Sequence, residues 1–313
     1  MDTCPVCSWD FSTGEFKVIP YPSGTRPKIA GQVPTTIRFC GRCGVGLACP
    51  PISGEATEGL YSQGEYWKQT QSGVSLRILP VPFALAQARW RLIEGSVAEH
   101  AGSRAIRVLD IGAGHGYLGL VAAAKGSVRL GEYCAVEPDP TMRQYLNHMW
   151  ASRGCKATLV TLPSLDDVTG SCDAVVLSHV LEHVDAPLSF VESAAGCLSR
   201  EGVLFVDVPN QDHLFKRDVF PHAIFFSVQS LGLLLERAGL ESLSIGVWGR
   251  DMYGSPLCDR APVTRKLVGK AIGVSSKALP VGLSVRVYSW YFGMGRPDSK
   301  GTWIRALCRR KQS

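Results

Sequence analysis

The stretch Val108-Leu109-Asp110-Ile111-Gly112-Ala113-Gly114-His115-Gly116-Tyr117 constrains the fold more than any other part of the chain. The run from Ile106 to Ile111, rich in β-branched residues and leucine, reads as a buried strand. It leads into three glycines at alternate positions, and the apolar, alanine-rich segment Leu118 to Lys125 reads as a helix. Strand, glycine turn and helix open a nucleotide-binding α/β unit. The backbone must turn sharply there and let a ligand come close, and a Cβ would obstruct one or the other. A dinucleotide site wants G-x-G-x-x-G. Here the pattern is D-x-G-x-G-x-G, and no G-x-x-x-x-G-K-[ST] phosphate loop occurs. Asp110 would repel a phosphate but could meet an ammonium, directly or through water. That points to a cofactor with an amino-acid tail and no phosphate.

The α/β alternation continues downstream. Glu132 to Glu137 reads as a second strand, with Glu137 at its carboxyl end, where ligands sit in a doubly wound sheet and where a carboxylate can accept both hydroxyls of a ribose. Pro138-Asp139-Pro140 opens a helix to Ser152, Cys155 to Val160 is a third strand, and Asp173 to His179 a fourth. A helix from Asp185 to about Ser199 leads to a fifth strand, Gly202 to Val208. Ser227 reads as the N-cap of a helix from Val228 to Ala238, followed by a sixth strand, Leu243 to Trp248. Thr302 to Cys308 is the seventh, placed antiparallel at the edge. Upstream, Pro80 and Pro82 bracket a break, and Phe83 to His100 has helical apolar spacing.

VLDIGAGHG, with the strand before it, resembles the first motif of class I S-adenosylmethionine-dependent methyltransferases. The resemblance implies a Rossmann-like α/β fold of six parallel strands and an antiparallel seventh. It implies S-adenosylmethionine held by Asp110, Gly112, Gly114, Gly116 and Glu137, with Asp166 in the loop that meets the adenine amino group. The run DAVVLSHVLEHV resembles the fourth motif of a subgroup acting on small molecules and sugars, which would put Ser178 and His179 under the sulfonium. It is not the Asn-Pro-Pro-Tyr or Asp-Pro-Pro-Tyr of enzymes that methylate exocyclic base amines. His179, Glu182 and His183 would share a helical face if a helix began early enough and could then bind a divalent metal; otherwise Glu182 and His183 shape the loop by hydrogen bonds.

Two C-x-x-C knuckles, Cys4/Cys7 and Cys40/Cys43, are the ligand set of a structural zinc ribbon over residues 1–52. Strand-like Phe16 to Ile19 and Thr35 to Phe39 lie between them. Such a module has almost no core of its own and should depend on the metal to fold. A connector at 53–82 contains Tyr61, Tyr66 and Trp67, which either pack the ribbon against the rest or cover the site. Residues 83–313 would be the transferase domain. Within it an insertion at about 251–300 reads as a basic amphipathic helix from Val263 to Ile272 and a second one, Val281 to Gly293. It is read as a packed lid or interface in preference to a membrane-surface element.

After the fifth strand, on the side that faces the methyl group in this fold, stands His222, the candidate general base, with His183 as a second catalytic candidate. The position resembles the Tyr-His-Glu-His stretch of zinc-ribbon sugar C-methyltransferases. Only the last histidine matches, so O-methylation stands beside C-methylation. The expected acceptor is a small molecule, a nucleotide-linked or surface-glycan sugar. Two alternatives stay open: an RNA methyltransferase that uses the ribbon as a clamp, and a cofactor-binding scaffold without turnover. The 313-residue chain has 45% hydrophobic and 19% charged residues, globular values, and a mild net charge of +6. Arg305, Arg309, Arg310 and Lys311 read as a solvated tail, not a nucleic-acid patch. With no apolar run of eighteen residues and no secretory leader at MDTCPVCSWD, the expected location of this chain of eleven cysteines is the reducing cytoplasm.

Overall fold

The computed structural model describes residues 3–11, 16–24, 33–52, 76–124, 127–251 and 279–311, with single positions at 59, 267, 271 and 272. The aromatic connector and most of the expected helix from Val263 to Ile272 lie outside the described residues. In chain order come β1 (Val18–Pro20), β2 (Thr36–Phe39), β3 (Gly46–Cys49), α1 (Pro80–Ala101), β4 (Ala105–Ile111), α2 (Tyr117–Ala124) and β5 (Arg129–Val136). Then follow α3 (Pro140–Ser152), β6 (Thr158–Leu162), β7 (Cys172–Ser178), α4 (Pro187–Gly196), β8 (Leu198–Pro209) and β9 (Ile224–Phe225). The chain closes with α5 (Val228–Arg237), β10 (Leu240–Asp251), α6 (Val281–Phe292) and β11 (Gly301–Arg310).

Seven strands form one sheet in the order β10-β11-β8-β7-β4-β5-β6. β4 lies near the middle, parallel to β5 and β7. Strands buried on both faces carry near-continuous apolar runs, as in Cys172–Ser178, where all but the last residue are buried. Their side chains alternate between two layers. Ile106, Val108, Ala174, Val176, Val203 and Phe205 pack with Trp90, Ile93 and Val97 of α1. Leu109, Ile111, Val175, Leu177, Leu204 and Val206 pack with Val191 of α4 and Leu231 and Leu234 of α5.

Local chemistry sets the helix starts. Asp139 accepts the backbone N–H groups of Thr141 and Met142 at 2.7 and 3.4 Å, with Pro140 next in the first turn. Ser227 caps α5 in a reciprocal box with Ser230. Pro80 and Pro82 do not break the chain as expected. They lie in the first turn of α1, where a missing N–H costs little. The third strand also starts later than expected, at Thr158.

The antiparallel strand is not at the edge. β11 is hydrogen-bonded to β8 on one side and to β10 on the other, antiparallel to both, so β10 is the edge strand. Of the basic C-terminal residues expected in a solvated tail, Arg305 is instead buried, whereas Arg310 and Lys311 are exposed. Arg305, only 2% exposed, lies in β11 with its Nε 3.3 Å from Asp207 Oδ2, and Arg89 Nε is 2.7 Å from the same oxygen. Arg309 pairs with Glu241 at 3.0 Å, Arg310 donates to the Leu198 carbonyl, and Lys311 Nζ is 3.6 Å from Glu236. In the insertion, α6 packs on α1 through Val285, Tyr291 and Phe292 against Ala84 and Ala88. Among the described residues no helix is long and apolar enough to cross a membrane.

The cysteine module is not core-poor in this setting. Val6, Phe11, Val45, Leu47 and the four paired cysteines belong to the same buried cluster as α4 and α5. Its small sheet runs β1-β2-β3-β9, so its last strand, Ile224–Phe225, comes from the segment between β8 and α5 of the larger α/β unit. Arg237 of α5 completes the junction, donating to the Val6 carbonyl and, at 2.9 Å, to Ser8 Oγ.

Burial alone would raise the Asp207 carboxyl, but Arg305 and Arg89 outweigh it and hold it below the usual carboxylate range. Asp207→Ala leaves two guanidinium groups beside an apolar strand. It is expected to lower unfolding free energy by about 3–5 kcal/mol, read as a fall in the urea midpoint at unchanged slope.

Candidate functional site

The carboxyl ends of β4, β5 and β7 frame a cavity of about 760 Å³. On one side is the glycine turn. Gly112, Gly114 and Gly116 have φ of 72°, 52° and 64°, a region where L side chains are strained. The Gly112 N–H donates to the Val136 carbonyl at 2.8 Å, tying the turn to β5. The Gly114 N–H donates to Glu137 Oε2 at 2.9 Å, and Asp139 N–H donates to Glu137 Oε1 at 3.1 Å. Glu137 is 3% exposed. Burial pushes its carboxyl up to about 7 against the opposing pull of those two N–H groups.

The structure does not bring every expected residue to the cavity. Gly112, Gly114, Glu137, Asp166, Ser178, His179, His183 and His222 line it; Asp110 and Gly116 do not. Asp110 follows Ile106 and Val108 in the strand alternation, so its side chain turns to the α1 side, where Tyr133 Oη donates to it at 2.5 Å. Burial raises its carboxyl to about 6 despite that hydrogen bond. Gly116 is needed for packing: a Cβ there would run into the Leu146 side chain. Asp166 lies in the short turn Leu165–Asp167, whose N-cap Ser164 accepts the Asp166 N–H at 3.2 Å.

Opposite the glycines is a group of ionisable side chains. β7 ends at Ser178, and His179 takes the left-handed region with φ of 56°, its N–H donated to the Asp207 carbonyl at 2.8 Å. Leu181–His183 then forms a single 3₁₀ turn, so the long shared helical face considered for His179, Glu182 and His183 does not form. Glu182 is 1% exposed. Its Oε1 is 3.1 Å from His179 Nδ1 and 3.9 Å from His183 Nε2. The His183 ring meets the His222 ring edge to face at 4.9 Å between centroids. Burial drives the His183 imidazole down to about 4, against the pull of Glu182, so it is neutral at pH 7. His222 Nδ1 is 3.0 Å from Asp212 Oδ2, and Lys216 Nζ is 2.9 Å from the same oxygen. Burial would raise the Asp212 carboxyl, but His222 and Lys216 hold it well below the usual range.

An imidazole braced by a carboxylate at Nδ1 can take a proton at Nε2 or hold a cation there. Sequence reading missed Asp212: it falls in an aperiodic polar stretch, and its only signal is the four-residue spacing to Lys216. It also missed Tyr21, whose Oη donates to the His222 carbonyl at 2.9 Å. In the cysteine module, Cys4 Sγ is 3.7 Å from Cys43 Sγ and Cys7 Sγ is 3.5 Å from Cys40 Sγ. All four sulfurs lie within 4.8 Å of one another. A tetrahedron with Zn–S of about 2.3 Å has edges of about 3.8 Å, so this set could hold zinc.

Residues 85–245 match the family model described as a methyltransferase domain, just over half of the chain. The chain belongs to this methyltransferase domain family. It is 30% identical over 108 residues to the ubiquinone biosynthesis O-methyltransferase of Haemophilus ducreyi; the match spans 34% of this chain and 46% of that protein, under half its length. Among solved structures it resembles a candidate sarcosine dimethylglycine methyltransferase from Galdieria sulphuraria. That likeness has a TM-score of 0.50 at 17% identity, covering 79% of this chain and 97% of the other. The plantazolicin methyltransferase BpumL in complex with SAH has a TM-score of 0.49 at 14% identity, covering 82% and 96%.

Gly112→Ala would set a Cβ 2.6 Å from Val180 Cγ2 at a positive φ. It is expected to destabilise the protein by about 1–2 kcal/mol or more, read in thermal unfolding. Gly95→Ala, in open space within α1, is the contrasting substitution and is expected to stabilise by about 0.5–1 kcal/mol.

Proposed function

We propose that this chain moves a methyl group from S-adenosylmethionine to an oxygen or carbon of a small-molecule acceptor, a nucleotide-linked or surface-glycan sugar. The observation that carries the reading is the pairing across one cavity of a glycine turn hydrogen-bonded to the buried Glu137 with the His183–His222 pair. In this reading Gly112 and Gly114 let the cofactor approach the backbone, and Gly116 supports the turn by its close fit to Leu146. Glu137 accepts the ribose hydroxyls, Asp166 meets the adenine amino group, and Ser178 and His179 lie under the sulfonium. Asp110, turned away from the cavity, supports the turn through its hydrogen bond from Tyr133.

His222, braced by Asp212, and His183 act on the acceptor. For a hydroxyl acceptor, the oxygen's electron pair forms the bond to the methyl carbon. The C–S bond breaks with its pair left on sulfur, and the hydroxyl proton passes to His222 Nε2. Most of the acceleration comes from holding oxygen, carbon and sulfur in line. The sugar rests on likeness to the DAVVLSHVLEHV subgroup, and the cavity volume accommodates a cofactor with a small acceptor. Cys4, Cys7, Cys40 and Cys43 hold a structural zinc, and free thiols such as Cys134 and Cys172 fit a reducing cytoplasm.

The test is transfer of radiolabelled methyl from S-adenosylmethionine to a panel of sugar nucleotides. Wild type is expected to label at least one, and His222→Ala to lose about 10²–10⁴-fold in turnover with cofactor affinity unchanged. Undiminished turnover in His222→Ala would contradict the assignment of that residue.

A further inference from the structure

Glu182 presents an unresolved account in the cavity wall. Its carboxylate is 1% exposed, and Oε2 has no hydrogen-bond partner among the described residues, although Oε1 meets His179. A buried carboxylate oxygen left without a donor is uncommon in a folded protein, and an unplaced cation is one of its standard causes. Two imidazoles, those of His183 and His222, come close to the same carboxylate. One ligand atom each from Glu182, His183 and His222 falls within a 4.8 Å group. All three residues line the cavity that the proposed reaction uses.

The atoms behind the imidazoles fix which nitrogen each can offer. His183 Nδ1 lies 3.4 Å from the Pro221 carbonyl, an oxygen that can only accept, so Nδ1 carries the proton and Nε2 carries the lone pair. That Nε2 is the edge turned to Glu182. His222 Nδ1 faces the Asp212 carboxylate at 3.0 Å, which makes Nε2 its ligand atom. A carbonyl behind one ligating histidine and a carboxylate behind the other is the usual second layer of a metal site, orienting each ring and raising its basicity. The backbone holds the pieces in register: Ala223 N–H donates to the Glu182 carbonyl at 2.7 Å, binding the His222 loop to the Leu181–His183 turn.

We infer that Glu182, His183 and His222 form a binding site for a divalent first-row transition cation, open toward the acceptor end of the cavity. Two imidazoles and one carboxylate with positions left for other ligands suit zinc, cobalt or iron better than magnesium or calcium, which prefer all-oxygen sets. The inference rests on the methyl-transfer reading and deepens it. A hydroxyl of the acceptor binds the cation and gives its proton to water. The oxygen then takes the methyl group, and the C–S electron pair remains on sulfur. With the cation bound, His222 Nε2 is a ligand in place of a base, and Asp212 is its positioning residue.

Cobalt(II) is the probe, added to full-length protein whose four-cysteine set is first saturated with zinc. The expected result is one further equivalent of cobalt per chain, with weak visible bands and no thiolate charge transfer. Glu182→Gln is expected to weaken cobalt at least tenfold, and Asp212→Asn, which keeps all three ligands, by about 10–100-fold. S-adenosylmethionine affinity, measured in each variant, reports that the fold is retained. Absence of that equivalent of cobalt, or cobalt binding unchanged in both variants, would overturn the inference. Failure of the methyl-transfer reading would show separately, as wild type that binds cobalt but not S-adenosylmethionine.

Discussion

The hydrogen bond from the Gly114 N–H to the buried carboxylate of Glu137 joins the two halves of the site. It forms because β4 ends in a turn of left-handed glycines and β5, its parallel neighbour, ends one residue before an acid. Burial makes the carboxylate costly to ionise, and two backbone N–H groups partly offset that cost. The geometry around it is stiff. Gly112 backs onto Val180, the residue before the Leu181–His183 turn, so the glycine side and the histidine side of the cavity are in direct packing contact.

The cysteine module is built into the same site. β3 pairs with the two-residue β9, Ala48 N–H donates to the Ala223 carbonyl, and Val219 N–H donates to the Pro22 carbonyl. Phe225 packs between Tyr21 and His213, and Tyr21 Oη donates to His222 itself. The loop that carries His222 is thus held on both flanks by residues from the first fifty of the chain. A metal that rigidifies the four cysteines would act on the placement of His222 through these hydrogen bonds, without touching a substrate.

Much of this was legible in the sequence where a short stretch carries its own instruction. The strand and glycines of Ile106–Gly116, the helix opened at Pro138-Asp139-Pro140, the cap Ser227, and the acid ending β5 are local signals with a direct physical reading. The parallel order of the sheet followed from alternating elements. Other features depend on contacts between distant segments. β9 is too short to show a period, and its pairing with β3 is a tertiary event. The place of β11 between β8 and β10 moves the expected edge strand inside the sheet and buries Arg305, whose charge Asp207 of β8 neutralises. The convergence of Glu182 and His222 rests on hydrogen bonds between distant segments, among them Ala223 N–H to the Glu182 carbonyl. Of the two readings of His179, Glu182 and His183, the helical face does not form for a local reason: His179 adopts a left-handed conformation that interrupts any helix begun at Ser178.

The central claim is that the glycine turn and Glu137 form a S-adenosylmethionine site, and calorimetric titration with that cofactor tests it most directly. Glu137 accepts ribose hydroxyls only when ionised, and its carboxyl is raised to about 7. Affinity should therefore be full at pH 8 and fall as the pH drops through 7, by up to about tenfold per pH unit. Gly114→Arg should abolish binding at either pH. Folded wild-type protein that does not bind, or binding indifferent both to pH and to Gly114→Arg, would contradict the account.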